Sequence, residues 1–566
     1  MLIFKEDMEE LLIPKEKEMV TKNYDSDEDE KKILKEDRVV ESKKTEQPSR
    51  EGQDKRRLTK LQTVALKKFS LDHAGANEIN DFKDKLFAIL EKEEENKRKN
   101  TFSKMVQKIK KFSWCHVIIF LSFYLLRTIN IIFLGHLDSE KSVLNINILQ
   151  MGNIYMNIFG TIFCFGTLQA FEFFGSKLYI AKRYDLFMDI YNIAKTFCVL
   201  IFLIIILPFS FCSRFFLELF GVEPIMALQT SQFIKIELIS YAFTILHFLN
   251  TKFLQIIEGH LIAMVIYLIA LVIHITSCFY FILYFNLGFY GAAISSGISA
   301  FVTFVMTSFF VYLNNPHKTE DTYVFSLNSD LLNTSKFFIY CRFGIINSLY
   351  NTLHETSIEL FVVLSYFIDK INFISSGISY NYVRLLNHII VGFSVVIVNR
   401  VYKYMTNKKI EKTKFFMRNI MFIMMIIALI VSILNFLFGH YLGYIYLDNP
   451  EFNENFSFLV KIYSFVMFFD WGDSIFNYFL KGLNRHANLK IISNLSLLFI
   501  FIPVGVLLTF VFKLGFMGLW YAMWAYMIIF FFIDGIYLYS IELYKEQDKI
   551  VDSLKNYVES EDIFFK

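Results

Sequence analysis

The sequence has few cysteines, and none of them stands at metal-binding spacing. The six thiols are scattered and lie mostly inside apolar runs, at Cys115, Cys164, Cys198, Cys212, Cys278 and Cys341. Zinc sites use ligand pairs a few residues apart, and disulfide frameworks are typical of small secreted domains. We therefore expect buried free thiols, no structural metal and no cofactor.

Enzyme motifs and a strong net charge are also lacking. There is no glycine-rich phosphate loop, no His-Glu-x-x-His sequence and no nucleophile elbow, so an enzyme is the least favoured class. A formal net charge of +3 over 566 residues is too small to indicate a nucleic-acid partner. The charged N-terminus has no apolar core, so no cleavable signal peptide is expected.

Long apolar segments dominate the chain after about residue 112. The composition is 55% hydrophobic, with a mean hydropathy of +0.42. A hydrocarbon layer of about 30 Å takes roughly 20 residues of helix, and in lipid the backbone must satisfy its own hydrogen bonds. We predict an all-α integral membrane protein with twelve transmembrane helices, at 113–134, 143–167, 187–209, 227–249, 261–285, 289–313, 336–366, 370–398, 416–438, 456–480, 488–512 and 515–541.

The two halves of the chain repeat each other at an offset of 226 to 227 residues. Gly166 recurs as Gly392, Pro224 as Pro450, and Leu287-Gly288-Phe289-x-Gly291 as Leu514-Gly515-Phe516-x-Gly518. The repeat predicts two six-helix lobes, an N-lobe at 113–313 and a C-lobe at 336–541. Six is an even number, so both lobes enter the membrane from the same side. Parallel repeats of this kind are a common architecture of secondary transporters.

The segments outside the lobes are predicted to be cytosolic. Residues 1–112 are dense in Lys, Glu and Asp and cannot bury enough apolar surface to fold alone, so we expect a largely disordered tail. Residues 314–335 form a linker between the lobes and 542–566 a second tail. Lys and Arg concentrate in the loops after helices 2, 8 and 10, which places both termini in the cytosol.

Several motifs resemble those of the multidrug and toxic compound extrusion (MATE) transporters in their eukaryotic branch. Phe133-Leu134-Gly135-His136-Leu137 is similar to the family's "F-V-G-H-L-G", with Asp138 in place of the last glycine. Ser357-Ile358-Glu359-Leu360 is similar to "S-F-E-I". The stretch from Phe469-Asp470 to Lys481-Gly482 is similar to "F-D-x-x-Q-x-x-x-x-G-x-x-R-G", with Asp473 at the Gln position.

The resemblance covers about residues 113–541 and carries expectations for fold and activity. It implies a V-shaped, two-lobed bundle of the multidrug/oligosaccharidyl-lipid/polysaccharide flippase superfamily. It also implies efflux of organic, often cationic or amphipathic, compounds and xenobiotics, in exchange for H⁺ or Na⁺ by alternating access.

Four carboxylates inside the membrane segments are the predicted coupling and substrate residues. Glu355 and Glu359 lie four apart on helix 7, and Asp470 and Asp473 lie three apart on helix 10, so each pair shares a helix face. In the MATE arrangement the two helices face each other around the C-lobe cavity. Mutual repulsion there would keep at least one acid protonated, as a proton-coupled antiporter requires. Alternatively, the acids pair with Arg384 or His388 of helix 8 and only lock the lobe.

The remaining candidates have weaker signals. Tyr380, Tyr382, Phe469 and Trp471 could line a cavity for flat cations through cation–π contacts, although aromatic helix packing is the commoner role. Helix 1 carries Arg127 where many relatives carry an acid, and this side chain either points to the cytosol or is paired, for example with Glu237. We therefore expect coupling to survive removal of Arg127.

Three functions remain open at this stage. The first is a cation-coupled exporter of small organic molecules, monomeric and in the plasma membrane or an internal membrane. The second is a lipid-linked oligosaccharide flippase of the same superfamily, although flippases tend to have cationic cavities and this second lobe is acidic. The third is a non-transporting membrane scaffold or sensor that uses the charged tail.

Overall fold

A computed structural model describes residues 113–180, 182–316 and 335–559, together with four positions between 103 and 109. The predicted tail at 1–112 lies almost wholly outside these residues, and so does most of the predicted linker at 314–335. Both predictions therefore stay predictions. The described residues form helices joined by short turns, without a strand.

Twelve long helices occupy the positions that the apolar segments predict. They are α1 Ser113–Gly135, α2 139–180, α3 Tyr184–Phe211, α4 Pro224–Ile256, α5 His260–Tyr284, α6 Phe289–Leu313, α7 Ser335–Tyr366, α8 Lys370–Thr406, α9 Ile410–Tyr446, α10 Pro450–Gly482, α11 486–511 and α12 Met517–Ser540. In the described part of the chain, nine of these are long and apolar enough to cross a membrane. Two of the other three, α7 and α10, carry the predicted acid pairs, so the count of twelve crossings stays a prediction.

The helices pack as two groups, α1–α6 and α7–α12. In the first group α6 packs on α4 and α5, and in the second α10 packs on α8, α9 and α12. The groups meet chiefly where α2 packs along α7, and α2 also contacts α8. The second helix of each lobe therefore lies at the lobe interface, where its side chains can contact the other half.

The backbone turns confirm the duplication. Left-handed φ values recur in pairs 226 or 227 residues apart, at Lys182 and Lys408, Glu258 and Asn484, Asn286 and Lys513, and Gly288 and Gly515. The first pair ends two helices in the same way: Arg183 N–H bonds to Leu178 C=O at 3.0 Å, and Lys409 N–H bonds to Tyr404 C=O at 2.9 Å. These six-to-one bonds close a Schellman cap, which satisfies the last carbonyls of a helix. Equivalent loops of the two lobes thus use the same turn.

One irregularity of α2 has no counterpart in the other lobe. A π turn, Asn157–Thr161, interrupts the helix between Ser139–Met156 and Ile162–Ile180. The repeat-related stretch of α8, 383–387, is regular α-helix. Single π turns re-aim the side chains around them and are frequent at functional sites. Here the turn contains Asn157, which reaches the other lobe.

The two lobes are in contact at the end of the bundle predicted to face away from the cytosol. A Cβ atom on Gly135, at the end of α1, would lie 1.7 Å from the backbone oxygen of Tyr446, at the end of α9. Lys370 at the start of α8 forms a 3.1 Å ion pair with Glu223 before α4. The predicted outer end is therefore closed, and the glycine of the Phe-Leu-Gly-His motif is required by the close approach of two backbones.

An amphipathic helix, α13 Leu543–Glu559, follows the bundle where the sequence predicted only a tail. Glu546 accepts two hydrogen bonds from Arg485, of 2.7 Å and 2.6 Å, and the side chain of Gln547 donates to the Met405 carbonyl at 3.1 Å. Ile550, which belongs to the same helix, has a buried side chain. The helix thus ties the α8 end to the α10–α11 turn, and the Arg485 guanidinium lowers the pKa of Glu546.

Replacement of Arg485 by alanine is expected to release α13 and to speed its proteolysis several-fold, because Glu546 would lose a bidentate ion pair. In the native chain the pKa of Glu546 is lowered, so the helix is fully docked at pH values above the ordinary pKa of a glutamate. It should weaken as the pH falls below about 4. Limited proteolysis of the purified protein measures both effects.

Lys545→Ala is the matched control for this experiment, because Lys545 pairs with Glu542 on the exposed side of the same segment. Exposed ion pairs contribute little, so its cleavage rate should equal that of the native chain. Equal cleavage of the Arg485 variant would show that apolar packing alone holds the helix.

Candidate functional site

A cavity of about 490 Å³ lies between the lobes, in the half of the bundle predicted to face the cytosol. Its walls come from α1, α2, α4 and α5 on one side and from α7, α8, α10, α11 and α12 on the other. Four predicted residues line it: Glu355, Asp473, Arg384 and His388. Glu359, Asp470, Tyr380, Tyr382, Phe469 and Trp471 are not among its lining residues.

Glu355 is the acid that pairs with Arg384. The two side chains form a direct, partly buried ion pair between α7 and α8. Arg384 also donates to the hydroxyl of Tyr380 at 3.1 Å, so Tyr380 orients the guanidinium and does not face the cavity. The ring of His388, one turn further along α8, packs on the ring of Tyr124 from α1, with centroids 4.4 Å apart. Charge on this wall is therefore largely compensated inside the protein.

Glu359 contacts the other lobe. Its side chain is buried, and its Oε1 atom accepts a 2.7 Å hydrogen bond from the amide of Asn157 in the π turn of α2. Arg127 of α1 donates to the oxygen of the same amide at 2.9 Å, and to the Tyr241 hydroxyl at 3.1 Å. An arginine, an amide and a carboxylate thus form one chain from the N-lobe to the C-lobe.

This network differs from the sequence-based picture at Glu359, and at Arg127 it agrees with the alternative in which this side chain is paired. Glu359 faces α2 of the N-lobe and not α10, because the π turn presents the Asn157 amide at its oxygen. Arg127 forms its hydrogen bonds to Asn157 and Tyr241, while Glu237 interacts with it electrostatically. Sequence reasoning missed Asn157. Its position as a polar residue inside a long apolar segment could have identified it as a candidate.

Asp470 is held within the C-lobe by two hydrogen bonds to one carboxylate oxygen. Asn387 of α8 donates to Oδ2 at 3.0 Å, and Tyr463 of α10 donates to the same atom at 2.8 Å. The indole of Trp471, which is fully buried, donates to the Asn387 oxygen at 2.9 Å. Glu359 and Asp470 therefore lie in separate polar networks, and the four predicted acids do not surround one cavity.

The other predicted aromatic residues pack between helices. Tyr382 donates to the side-chain oxygen of Asn435 on α9, and Phe469 packs edge-on against Phe531 of α12, with centroids 5.4 Å apart. The aromatic surface of the cavity comes from other residues, which are Phe120, Phe123, Phe248, Tyr267, Tyr478 and Tyr526. A cation in the cavity would meet these rings.

A second acidic group, from α10 and α12, also lies in the cavity wall. The Asn477 amide donates to Oδ2 of Asp473 at 3.3 Å and to Oδ2 of Asp534 at 2.6 Å, which joins α10 to α12. Both aspartates line the cavity. Sequence reasoning missed Asp534, although it is the one acid in the last apolar segment, and intramembrane acids are functional candidates.

Comparisons with known proteins agree with this architecture. The MatE family model matches residues 116–280. The eukaryotic MATE transporter AtDTX14 superposes with a TM-score of 0.67 over 80% of this chain and 99% of its own, at 19% identity. This chain has the fold of the MATE transporters. The bent form of VcmN from Vibrio cholerae, also a MATE transporter, gives a TM-score of 0.59 over 82% of this chain and 100% of its own, at 14% identity.

Sequence similarity extends over most of the MATE-type bundle. Protein DETOXIFICATION 15 of Arabidopsis thaliana is 22% identical over 469 residues, which are 81% of this chain and 92% of that protein. The recognition from motifs and the two-lobed all-α fold are thus confirmed. In sequence and in fold, the chain is similar to multi-pass membrane transporters of the MATE type.

Proposed function

We propose that the protein is a secondary active transporter that exports organic cations or amphipathic compounds by antiport with H⁺ or Na⁺. One observation carries this proposal: the buried carboxylate of Glu359 in the C-lobe is hydrogen-bonded to Asn157 of the N-lobe. A group that changes charge at the lobe interface gives an ion a direct influence on how the lobes pack. Alternating access requires such an influence.

The hydrogen-bond chain supplies the physical reason. When Glu359 is ionised, its negative charge is stabilised by the Asn157 amide and, through it, by Arg127. Binding of a proton or a sodium ion to Glu359 removes this charge and weakens the link. The closed arrangement of the lobes therefore has a different stability with and without the ion, which is what coupling means thermodynamically.

The cavity is suited to an organic substrate. Its volume of about 490 Å³ lies in the range of small-molecule sites, about 300–1,000 Å³. Phenylalanine and tyrosine rings share its wall with the carboxylates Glu355, Asp473 and Asp534. Rings favour flat or apolar groups, and the carboxylates favour positive charge. The predicted outer end is closed, so this arrangement would receive a substrate from the cytosol.

The test is transport by the purified protein in proteoliposomes. A fluorescent organic cation should leave the side predicted to be cytosolic when an opposing pH or Na⁺ gradient is imposed, and movement should stop when an ionophore collapses that gradient. Movement that is insensitive to both gradients would exclude antiport. Export that persists in vesicles reconstituted with at most one copy each would also support the proposed monomer.

A lipid-linked oligosaccharide flippase is the second candidate, and basic residues favour it. Lys481, near the end of α10, and Lys490, near the start of α11, line the cavity and interact electrostatically with each other. Lys252 and Arg384 also line it, but they are paired with Glu172 and Glu355. Translocation of a fluorescent diphosphate lipid in the same vesicles, lost in the Lys481→Ala, Lys490→Ala double variant, would favour the flippase.

A further inference from the structure

We propose that Asp473 and Asp534 form a binding site for a primary ammonium group, so that the protein prefers amines with free N–H donors over quaternary cations. This inference deepens the proposed function by naming the substrate class. The inference depends on the proposed function only where it concerns transport, because binding of an amine to the site can be measured without transport. Asp473 takes the position where the MATE motif has glutamine, and Asp534 lies outside that motif.

The geometry leaves two acceptor atoms unused. The single amide nitrogen of Asn477 serves the Oδ2 atoms of both aspartates. Both Oδ1 atoms are buried and receive no hydrogen bond from a donor of another side chain, and the two carboxyl groups contact each other directly. Asp534 is only 3% exposed, and it lines the cavity. A buried carboxylate oxygen without a partner is costly, so a donor that supplies one to each aspartate would stabilise the site.

The pair has no direct ion-pair partner in the part of the chain that the structure describes, although Lys481 also lines the cavity. The nearby bases have other interactions: Arg384 pairs with Glu355, Lys252 pairs with Glu172, and Lys490 interacts with Glu355. Two carboxyl groups in mutual contact require a proton or an external cation between them.

The chemistry of the site selects the cation. A primary ammonium has three N–H donors and can donate to both free oxygens at once, whereas a quaternary ammonium has none. The described part of the chain has no group of three or more His, Cys, Asp or Glu side chains that could hold a metal ion. Tyr526 of α12 also lines the cavity and interacts electrostatically with both aspartates. Its ring offers a face for the organic part of the ligand.

The test compares two fluorescent probes that differ only at nitrogen, dansylcadaverine and its N-trimethylated derivative. Both are titrated onto the full-length protein in nanodiscs. We expect the native protein to bind the primary amine at least about tenfold more tightly, the usual effect of hydrogen bonds to charged groups. Asp534→Asn should remove this preference by weakening the binding of the primary amine, while the affinity for the quaternary probe should change much less.

Two further variants control for folding and for charge elsewhere. Asp534→Glu restores a carboxylate and should recover much of the preference. Asp448→Asn removes an exposed acid at the other end of the bundle and should change nothing. Equal affinity of the native protein for both probes would overturn the inference, and so would a preference that persists in Asp534→Asn.

The two proposals can fail independently. If the native protein shows the amine preference but no gradient-driven transport, the antiport function is wrong and the binding site stands. If it exports quaternary cations under a gradient without any preference for amines, the antiport function stands and the site is wrong.

Discussion

Glu359→Gln is expected to reduce gradient-driven export strongly while leaving a folded protein in the membrane. Glutamine is nearly isosteric with glutamate and can still accept the hydrogen bond from Asn157, so the packing of α2 on α7 should persist. Glutamine cannot bind and release a proton, and it carries no charge that Arg127 could stabilise through Asn157. Export should fall by about tenfold or more, within the usual range of a coupling free energy between two sites. The measurement is initial export rate in proteoliposomes at matched protein content.

Glu451→Gln is the matched control, because Glu451 is an exposed glutamate in the first turn of α10. Its export rate should equal that of the native protein. Asn157→Ala breaks the same link from the N-lobe side and should also reduce export. Arg127→Ala should weaken export as well, contrary to the expectation from the composition of the first lobe, because Arg127 belongs to this chain. Native export rates in both Glu359→Gln and Asn157→Ala would show that the link is structural only.

Gly135→Ala is expected to disfavour closure of the predicted outer end and to slow turnover. The added methyl group would lie 1.7 Å from the Tyr446 oxygen and 2.9 Å from its carbonyl carbon, and a backbone carbonyl cannot move aside as a side chain can. Overpacking of this kind costs about 1–3 kcal/mol, enough to populate an arrangement with separated lobes. A cysteine at Leu447, which is 2% exposed, should then react faster with a thiol reagent added from that side.

The labelling experiment needs two controls. Cys212 is the exposed native thiol and should be replaced by serine to remove background reaction. Gly297→Ala in α6 makes the same chemical change where nothing lies within 4 Å of the added atom, so closure and export should persist. An unchanged rate at Leu447→Cys in the Gly135 variant would mean that the lobes tolerate the methyl group without opening.

Much of the fold was predictable, because hydropathy and repetition are local properties of the sequence. A segment such as 289–313 has no charged residue over its whole length and is predominantly apolar, and lipid allows only a helix there. The repeated string around Gly288 and Gly515 reappears as the same left-handed turn in both lobes. The amphipathic helix α13 was missed, because it is polar overall and its stability depends on Arg485 and Met405, which lie far away in the sequence.

The site was predicted less well, for a reason that Glu359 and Asp534 illustrate. Spacing along one helix places Glu355 and Glu359 on one face, but it does not say which helix lies opposite. The π turn at Asn157 decides that Glu359 faces the N-lobe. The contact of α10 with α12 decides that Asp473 is joined to Asp534 rather than to Glu359.

By itself, the sequence determined the membrane class, the helix positions, the duplication and the acidic character of the second lobe. Each of these follows from composition and from periodicity over tens of residues, which lipid and helix geometry translate directly into structure. Only the tertiary structure decided which acids are already paired, which cross the lobe interface and which keep unused oxygens in the cavity. Those properties depend on the directions of side chains from helices that are distant in sequence, and the packing of the two lobes alone brings such side chains together.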